Sequence, residues 1–262
     1  MTNLYQITHF RAGLLQKLRN VRIHSPTIVQ VLSGSKKLFW NEKTSSLSPS
    51  SLLLCEASLS LSFDNQPDKG HFSSRMFSLF SRPSESMLRL SYRNEVERDI
   101  PAVRLDSALS NTLNILQSLE LLTMSVETQS FYLMALYQQL AEKGVLHWLF
   151  SNEEATFGQK LRHYLSQHPG AEHSLISVAE QFAMSRATFS RRLKQEGYQY
   201  REVLAEIRLS YALRLMQQGS ANVSILSHMC GYQSESRFCQ RFKSKFGVSP
   251  AQYIKTIGPS AP

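Results

Sequence analysis

The chain has 262 residues, 42% of them hydrophobic and 19% charged, which excludes disorder throughout and leaves room for one large domain or two ordinary ones. Its net charge of +9 points to an anionic partner, nucleic acid or a membrane surface. The excess is uneven: residues 1–150 hold 15 Lys+Arg against 12 Asp+Glu, and residues 151–262 hold 14 against 8.

Three cysteines, Cys55, Cys230 and Cys239, form no C-x-x-C pair, so a disulfide framework is excluded and a reducing cytoplasm is the simplest setting. No apolar run approaches the roughly 20 residues that span a bilayer. The opening stretch "MTNLYQITHFRAGLL" lacks the basic, apolar, small-residue order of a secretory signal. The expectation is a cytoplasmic protein with no membrane partner.

From Thr27 to about Phe80 the text runs in short bursts, "TIVQVLSG", "SKKLFWNE", "SSLLLCEASLSLSFDNQPDKG" and "HFSSRMFSLF", punctuated by Gly34, Asn41-Glu42, Pro49 and the stretch from Asn65 to Gly70. In "SLSLSF" serines alternate with Leu59, Leu61 and Phe63, which places the apolar set on one face of a sheet. The predicted unit is a small β-sandwich or cupin-like β-barrel with flanking helices. Such a fold can hold a metal or a small ligand. His24 and His71, however, have no second histidine two or four residues away and no carboxylate in ligand spacing, so no metal or other cofactor is expected. Lys36 and Lys37, beside the predicted strands, carry two readings: a seat for an anionic effector such as a fatty acid, or two solvated lysines on a hairpin.

Beyond Pro101 the period changes. Leu105, Leu109, Leu113, Leu116 and Leu119 recur at three and four residues, and a second helical stretch runs from Phe131 to Phe150. The leucine stripe must be buried, either against its own domain or against the same helix of a second subunit, in which case Leu105, Leu109, Leu113 and Leu116 are the dimerisation residues of a homodimer. The polar stretch "FSNEEATFG", 150–158, reads as the boundary between a regulatory domain, 1–150, and an all-α domain, 151–262.

The second half repeats itself. In "VAEQFAMSRATFSRRL", Ala179 and Phe182 face inward, Met184-Ser185 make a turn, and Phe189 and Leu193 face inward again; in "ILSHMCGYQSESRFCQRF", Ser227, Cys230, Gly231-Tyr232, Phe238 and Phe242 take the same roles. Each copy is a short helix, a turn and a polar arginine-bearing helix, the layout of a helix-turn-helix whose second helix enters a major groove. The outward residues Arg186, Ala187, Ser190 and Arg191 of the first unit, and Ser236, Arg237 and Gln240 of the second, suit base edges: arginine for guanine, glutamine for adenine, alanine for the thymine methyl. Arg192, Lys194, Arg241, Lys243 and Lys245 lie nearer the flanks and suit phosphates. Between the units, "YREVLAEIRLSYALRLMQQG" reads as one helix over 198–218, with Ile207, Leu209, Ala212, Leu213 and Met216 as its apolar positions. At 1.5 Å per residue it spans about 30 Å, near the roughly 34 Å between successive major-groove faces.

The stretch "GYQSESRFCQRFKSKFGVSPAQY", with its G-[FY] turn, S-x-x-F helix, R-F-K, F-G-x-S-P and closing tyrosine, resembles the signature of the AraC/XylS family of bacterial transcription regulators, and the likeness covers 174–254. The style of the first half is similar to the enteric virulence and acid-resistance regulators. Two departures stand out: Ser227 in place of the usual alanine, and Ile254 where an arginine often follows the tyrosine. The resemblance implies binding of double-stranded DNA at promoters, activation through RNA polymerase, and an N-terminal barrel for ligand sensing or dimerisation. No nucleotide-binding, zinc-protease or serine-hydrolase motif is present, so no catalytic residue is expected. A second reading makes the protein an adaptor whose first half binds a protein partner, DNA binding being secondary.

Overall fold

The computed structural model describes residues 3–95, 99–150 and 156–258. Among the described residues the first half is built on nine antiparallel strands in two sheets: β1 (Tyr5–Ala12), β2 (Gln16–Arg22), β3 (Thr27–Ser33), β4 (Ser35–Trp40), β5 (Lys43–Leu47), β6 (Ser51–Cys55), β7 (Ser60–Gln66), β8 (Phe72–Leu79) and β9 (Ala102–Arg104). One sheet has the order β1-β8-β3-β6-β9, the other β2-β7-β4-β5. They face each other as a sandwich with separate edges, so the expected barrel is present as two sheets and not as a closed ring of paired strands. The expectation of strands from Thr27 onward omitted β1 and β2, whose polar, arginine-bearing text carries little alternation.

The pattern of each sheet follows from what covers it. The five-stranded sheet is buried on both faces, so β6 reads as an unbroken apolar run: Leu53 and Cys55 face the opposing sheet, while Leu52 and Leu54 face helices. Those helices are α1 (Glu85–Arg93), α2 (Ser107–Ser118) and α3 (Val126–Glu142). In β7, Leu61 and Phe63 turn into the sandwich and Ser60 is exposed, as the alternation predicts.

Of the two placements for the leucine stripe, the chain takes the intramolecular one. Leu109, Leu113 and Leu116 are fully buried against α3 and the sheet, and Leu105 packs at the edge of the same core, so these side chains cannot form a zipper between subunits. Arg75 of β8, itself buried, donates to Gln30 Oε1 of β3 (2.8 Å) and fixes α2 by donating to Asn114 Oδ1 (2.7 Å) and to Gln117 Oε1. The expected second helical stretch ends early, at Glu142. Gly144 follows at φ 69°, and a Cβ there would lie 1.9 Å from the Asn94 carbonyl oxygen. Ser84, N-cap of α1, starts a helix the period analysis did not find.

The second half comprises α4 (Phe157–Gln167), α5 (Leu175–Gln181), α6 (Arg186–Gln195), α7 (Tyr200–Gln217), α8 (Val223–Met229), α9 (Glu235–Phe246) and α10 (Pro250–Thr256). The boundary expected at 150–158 falls largely on 151–155, outside the described residues. Two cores divide these helices unequally. Phe157, Leu161, Phe189, Leu193, Val203 and Ile207 close the first helix-turn-helix on itself. Leu213, Met216, Phe238, Phe242, Phe246 and Tyr253 of the second unit belong instead to the core of the sandwich. Gln217 seals that junction: its Oε1 accepts from the Arg11 N–H (2.8 Å), and its Nε2 donates to the Arg11 carbonyl (3.1 Å) and the Tyr253 hydroxyl (2.8 Å).

Candidate nucleic-acid interface and effector pocket

The internal repeat holds down to its caps. Ser174 and Asn222, 48 positions apart, cap α5 and α8; Ala183 and Gly231, again 48 apart, both take the left-handed conformation at the turn (φ 52° and 74°). One extra residue then enters the second turn, and the caps of α6 and α9, Ser185 and Ser234, are 49 apart, accepting from Thr188 N–H (3.2 Å) and Arg237 N–H (3.4 Å). Ser227 is buried in a position that suits alanine because its hydroxyl donates to the Ser224 carbonyl at 2.8 Å.

With Phe189 and Leu193 buried, α6 leaves Arg186, Ala187, Ser190 and Arg191 exposed; with Phe238 and Phe242 buried, α9 leaves Ser236, Arg237 and Gln240 exposed. The flanking cations repeat at the same offset, Arg192 with Arg241 and Lys194 with Lys243, while other outward positions differ, Ala187 against Ser236 and Arg191 against Gln240. The two units thus share their flanking cations and differ in the other side chains their outward faces carry. Arg192 remains exposed, with its guanidinium 4.8 Å from the Phe157 ring.

Lys245 does not join that set. Its ammonium donates to Glu206 Oε1 at 2.5 Å, and Arg162 Nη2 lies 3.7 Å from Glu206 Oε2, so α4, α7 and α9 are tied together midway along α7. Burial pushes the Glu206 carboxyl up, but the Lys245 hydrogen bond and the charges of Lys245, Arg22 and Arg162 outweigh it and hold the group below the usual range. The Lys245 ammonium is therefore paired within the protein, unlike the exposed cations of α6 and α9.

The rod itself is unbroken. It runs 18 residues, two shorter than the 198–218 reading at its N-terminus and one shorter at its C-terminus, about 27 Å at 1.5 Å per residue. Its first half buries Val203 and Ile207 against the first unit, and its second half buries Leu209, Ala212 and Leu213 against the second.

Inside the sandwich, strand alternation sends Lys36 inward and Lys37 toward the outer face. Lys36 is 4% exposed, donates to Asn65 Oδ1 at 2.5 Å and lies 3.6 Å from the centroid of the Phe63 ring; Lys37 sits 5.7 Å from the Phe39 ring. Burial lowers the Lys36 ammonium to about 7. Lys36 lines an apolar cavity of about 140 Å³ with Leu18, Val29, Leu53 and Leu213, the last from α7. That cavity adjoins two others, of about 160 and 320 Å³, and all three share His24 and Ser25. His24 is partly buried, shares a 2.9 Å hydrogen bond with Ser210 of α7, and is lowered to about 4, by burial first and then by Arg162. Sequence reasoning missed the polar relay behind Lys36: Asn65 Nδ2 donates to Gln16 Oε1 (2.8 Å), and Gln16 Nε2 to Thr256 Oγ1 (2.7 Å), at the end of α10. Nothing local marks these residues as partners, since Gln16 and Thr256 are 240 positions apart.

Among the described residues no helix is long and apolar enough to cross a membrane, and no group of histidine, cysteine or carboxylate residues is arranged to hold a metal.

A helix-turn-helix domain profile matches residues 178–256. The urease operon transcriptional activator of Escherichia coli is 31% identical over 123 residues, 47% of this chain and 41% of that protein, so the match covers about two-fifths of that relative's length. Rns, a DNA-binding dual transcriptional regulator of Escherichia coli, is 22% identical over 248 residues, 91% of this chain and 93% of that one. The fold is that of ToxT from Vibrio cholerae, with a TM-score of 0.62 at 16% identity over 98% of this chain and 100% of that one; an unsaturated fatty acid-bound form of ToxT superposes with a TM-score of 0.59 at 17% identity over 98% and 97%. Repeat, caps, rod and sandwich agree with these likenesses along the length of the protein, and residues 178–256 are a helix-turn-helix domain of the AraC/XylS type.

Proposed function

We propose that the protein is a sequence-specific DNA-binding transcription regulator that inserts α6 and α9 into adjacent major-groove segments and activates promoters through RNA polymerase. The observation that supports it is the pair of capped helices with exposed, non-identical polar faces, held at the two ends of one continuous helix. Two readers on one chain reach two groove segments without a second subunit, and their different residues suit an operator whose two halves differ. Base edges fall to Arg186, Ala187, Ser190, Arg191, Ser236, Arg237 and Gln240, and phosphates to Arg192, Lys194, Arg241 and Lys243.

Mapping the genomic fragments bound by the full-length protein, then comparing Arg191→Ala with Lys243→Ala on the recovered sites, tests this. Loss of the arginine relaxes preference at one base pair at a cost of roughly 1–3 kcal/mol, whereas loss of the lysine weakens all sequences alike and lowers the salt slope by about one. Identical behaviour of the two variants would contradict the assignment.

The finer proposal is an effector: a fatty acid with its carboxylate at Lys36 and its chain along the cavities that meet at His24. A buried ammonium facing an apolar cavity supports it, because an unpaired charge there is costly until an anion arrives. Calorimetry with an unsaturated fatty acid detects binding to the wild type and to Lys37→Ala and none to Lys36→Met. Equal binding by Lys36→Met would contradict this seat.

A further inference from the structure

The junction between the two helix-turn-helix units forms an open cleft of about 800 Å³. One wall is the N-terminal half of α7, where Arg201, Leu204, Ala205 and Arg208 follow the spacing of a single helix face. The other wall is the second unit's turn and the first two turns of α9, which contribute Tyr232, Arg237 and Arg241. Four guanidinium groups line the cleft, and Glu172 is the only carboxylate among its described lining residues.

The cleft is shaped by close packing. Arg208 Nη2 donates to the Ala171 carbonyl at 3.0 Å, so the rod is fastened to the segment that leads into α5. A Cβ on Gly231 would lie 2.6 Å from the same nitrogen, and a Cβ on Gly170 would lie 2.0 Å from the Met229 carbonyl oxygen, so the two units meet with little slack. Two buried polar atoms at this place have no hydrogen-bond partner among the described residues, Arg208 Nε and the Tyr232 hydroxyl. Arg201, Arg237 and Arg241 are exposed. Arg237 lines the cleft and also belongs to the outward face of α9, so the cleft opens on the side that α9 presents to a groove.

We propose that this cleft is a seat for the DNA phosphodiester backbone in the stretch between the two major-groove segments, with Arg201 and Arg208 as phosphate-binding residues supplied by the rod. The inference rests on the DNA-binding reading above and adds to it: α7 is a contact surface as well as a spacer. Arg201 and Arg208 are seven residues apart, about 10 Å along the axis, and one strand of B-DNA carries a phosphate every 3.4 Å of axis, so the row faces roughly three phosphates. Guanidinium groups suit this ligand because their planar donors match phosphate oxygens in pairs. The seat reads no bases, so its contribution is the same for every sequence and falls with salt.

Fluorescence anisotropy of the full-length protein with two duplexes of unrelated sequence, followed across a potassium chloride series, tests the proposal. Arg201→Ala lowers the slope of log affinity against log salt by about one and weakens both duplexes equally, and Arg201→Lys restores most of the slope. Arg201→Gln, which keeps the side-chain stem, repeats the loss if the alanine variant melts early, and Arg104→Ala, at the exposed end of β9, matches the wild type. An unchanged slope in Arg201→Ala and Arg201→Gln, with a lowered one in Lys243→Ala, overturns the cleft and leaves the DNA-binding reading standing. A loss confined to one duplex also overturns it, because Arg201 would then be reading bases. No salt-dependent binding of either duplex by the wild type removes both readings together.

Discussion

Two titratable side chains, Lys36 buried and His24 partly buried, decide the chemistry of the first half. Lys36 is depressed from 10.5 to about 7, so between those values the unfolded chain holds more protons than the folded one and stability rises with pH; below about 7 both forms are charged and the dependence vanishes. Lys36→Met is expected to raise the midpoint of urea unfolding at neutral pH and to flatten the profile above it. Fatty acid affinity should fall as pH rises through 7, because the neutral amine no longer pairs with a carboxylate. His24 works in another window. Depressed from 6.5 to about 4, it leaves stability fully present above 6.5 and erodes it as pH falls toward 4, at the junction of sandwich and rod. The role of Lys36 was only half legible in the sequence. Alternation in "SKKLFW" puts Lys36 and Lys37 on opposite faces, but each face also carries large apolar residues, Leu38 and Trp40 on one and Phe39 on the other, so the text does not say which lysine enters the core.

At the scale of elements, the repeated units were legible because their signals are local: an inward pair four residues apart, Phe189 with Leu193 and Phe238 with Phe242, and a short turn ahead of each arginine-bearing helix. The turns also make a paired prediction. Ala183 holds φ 52° without the freedom of glycine, and Gly231 holds φ 74° with Arg208 pressed against it. Ala183→Gly is therefore expected to stabilise the protein slightly in thermal unfolding, by up to about 1 kcal/mol, and Gly231→Ala to destabilise it by about 1 kcal/mol or more. A lower melting temperature for Ala183→Gly would show that the first turn is not strained. Leucine periodicity located α2 but not its partner, since a stripe with three leucines buried looks the same whether α3 or another subunit covers it.

On the scale of the molecule, the second unit shares its core with the sandwich and the first does not, an asymmetry no local pattern carries. It joins residues as distant as Arg11 and Gln217. Gln217→Leu leaves the Arg11 backbone groups and the Tyr253 hydroxyl without their partner, at a cost of roughly 1–3 kcal/mol. Hydrogen exchange is expected to speed up in α9 and α10 and to stay unchanged in α5 and α6; equal acceleration in both units would contradict the division of cores. The Lys36, Asn65, Gln16 and Thr256 relay runs from the apolar cavity to that same second unit.

Guanine methylation protection on an isolated operator tests the central claim most directly, because N7 lies in the major groove. One protein molecule reading two segments from one rod predicts two protected clusters about one helical turn apart, and loss of binding when half a turn of DNA is inserted between them. A single protected cluster, or undiminished binding after the insertion, would contradict it.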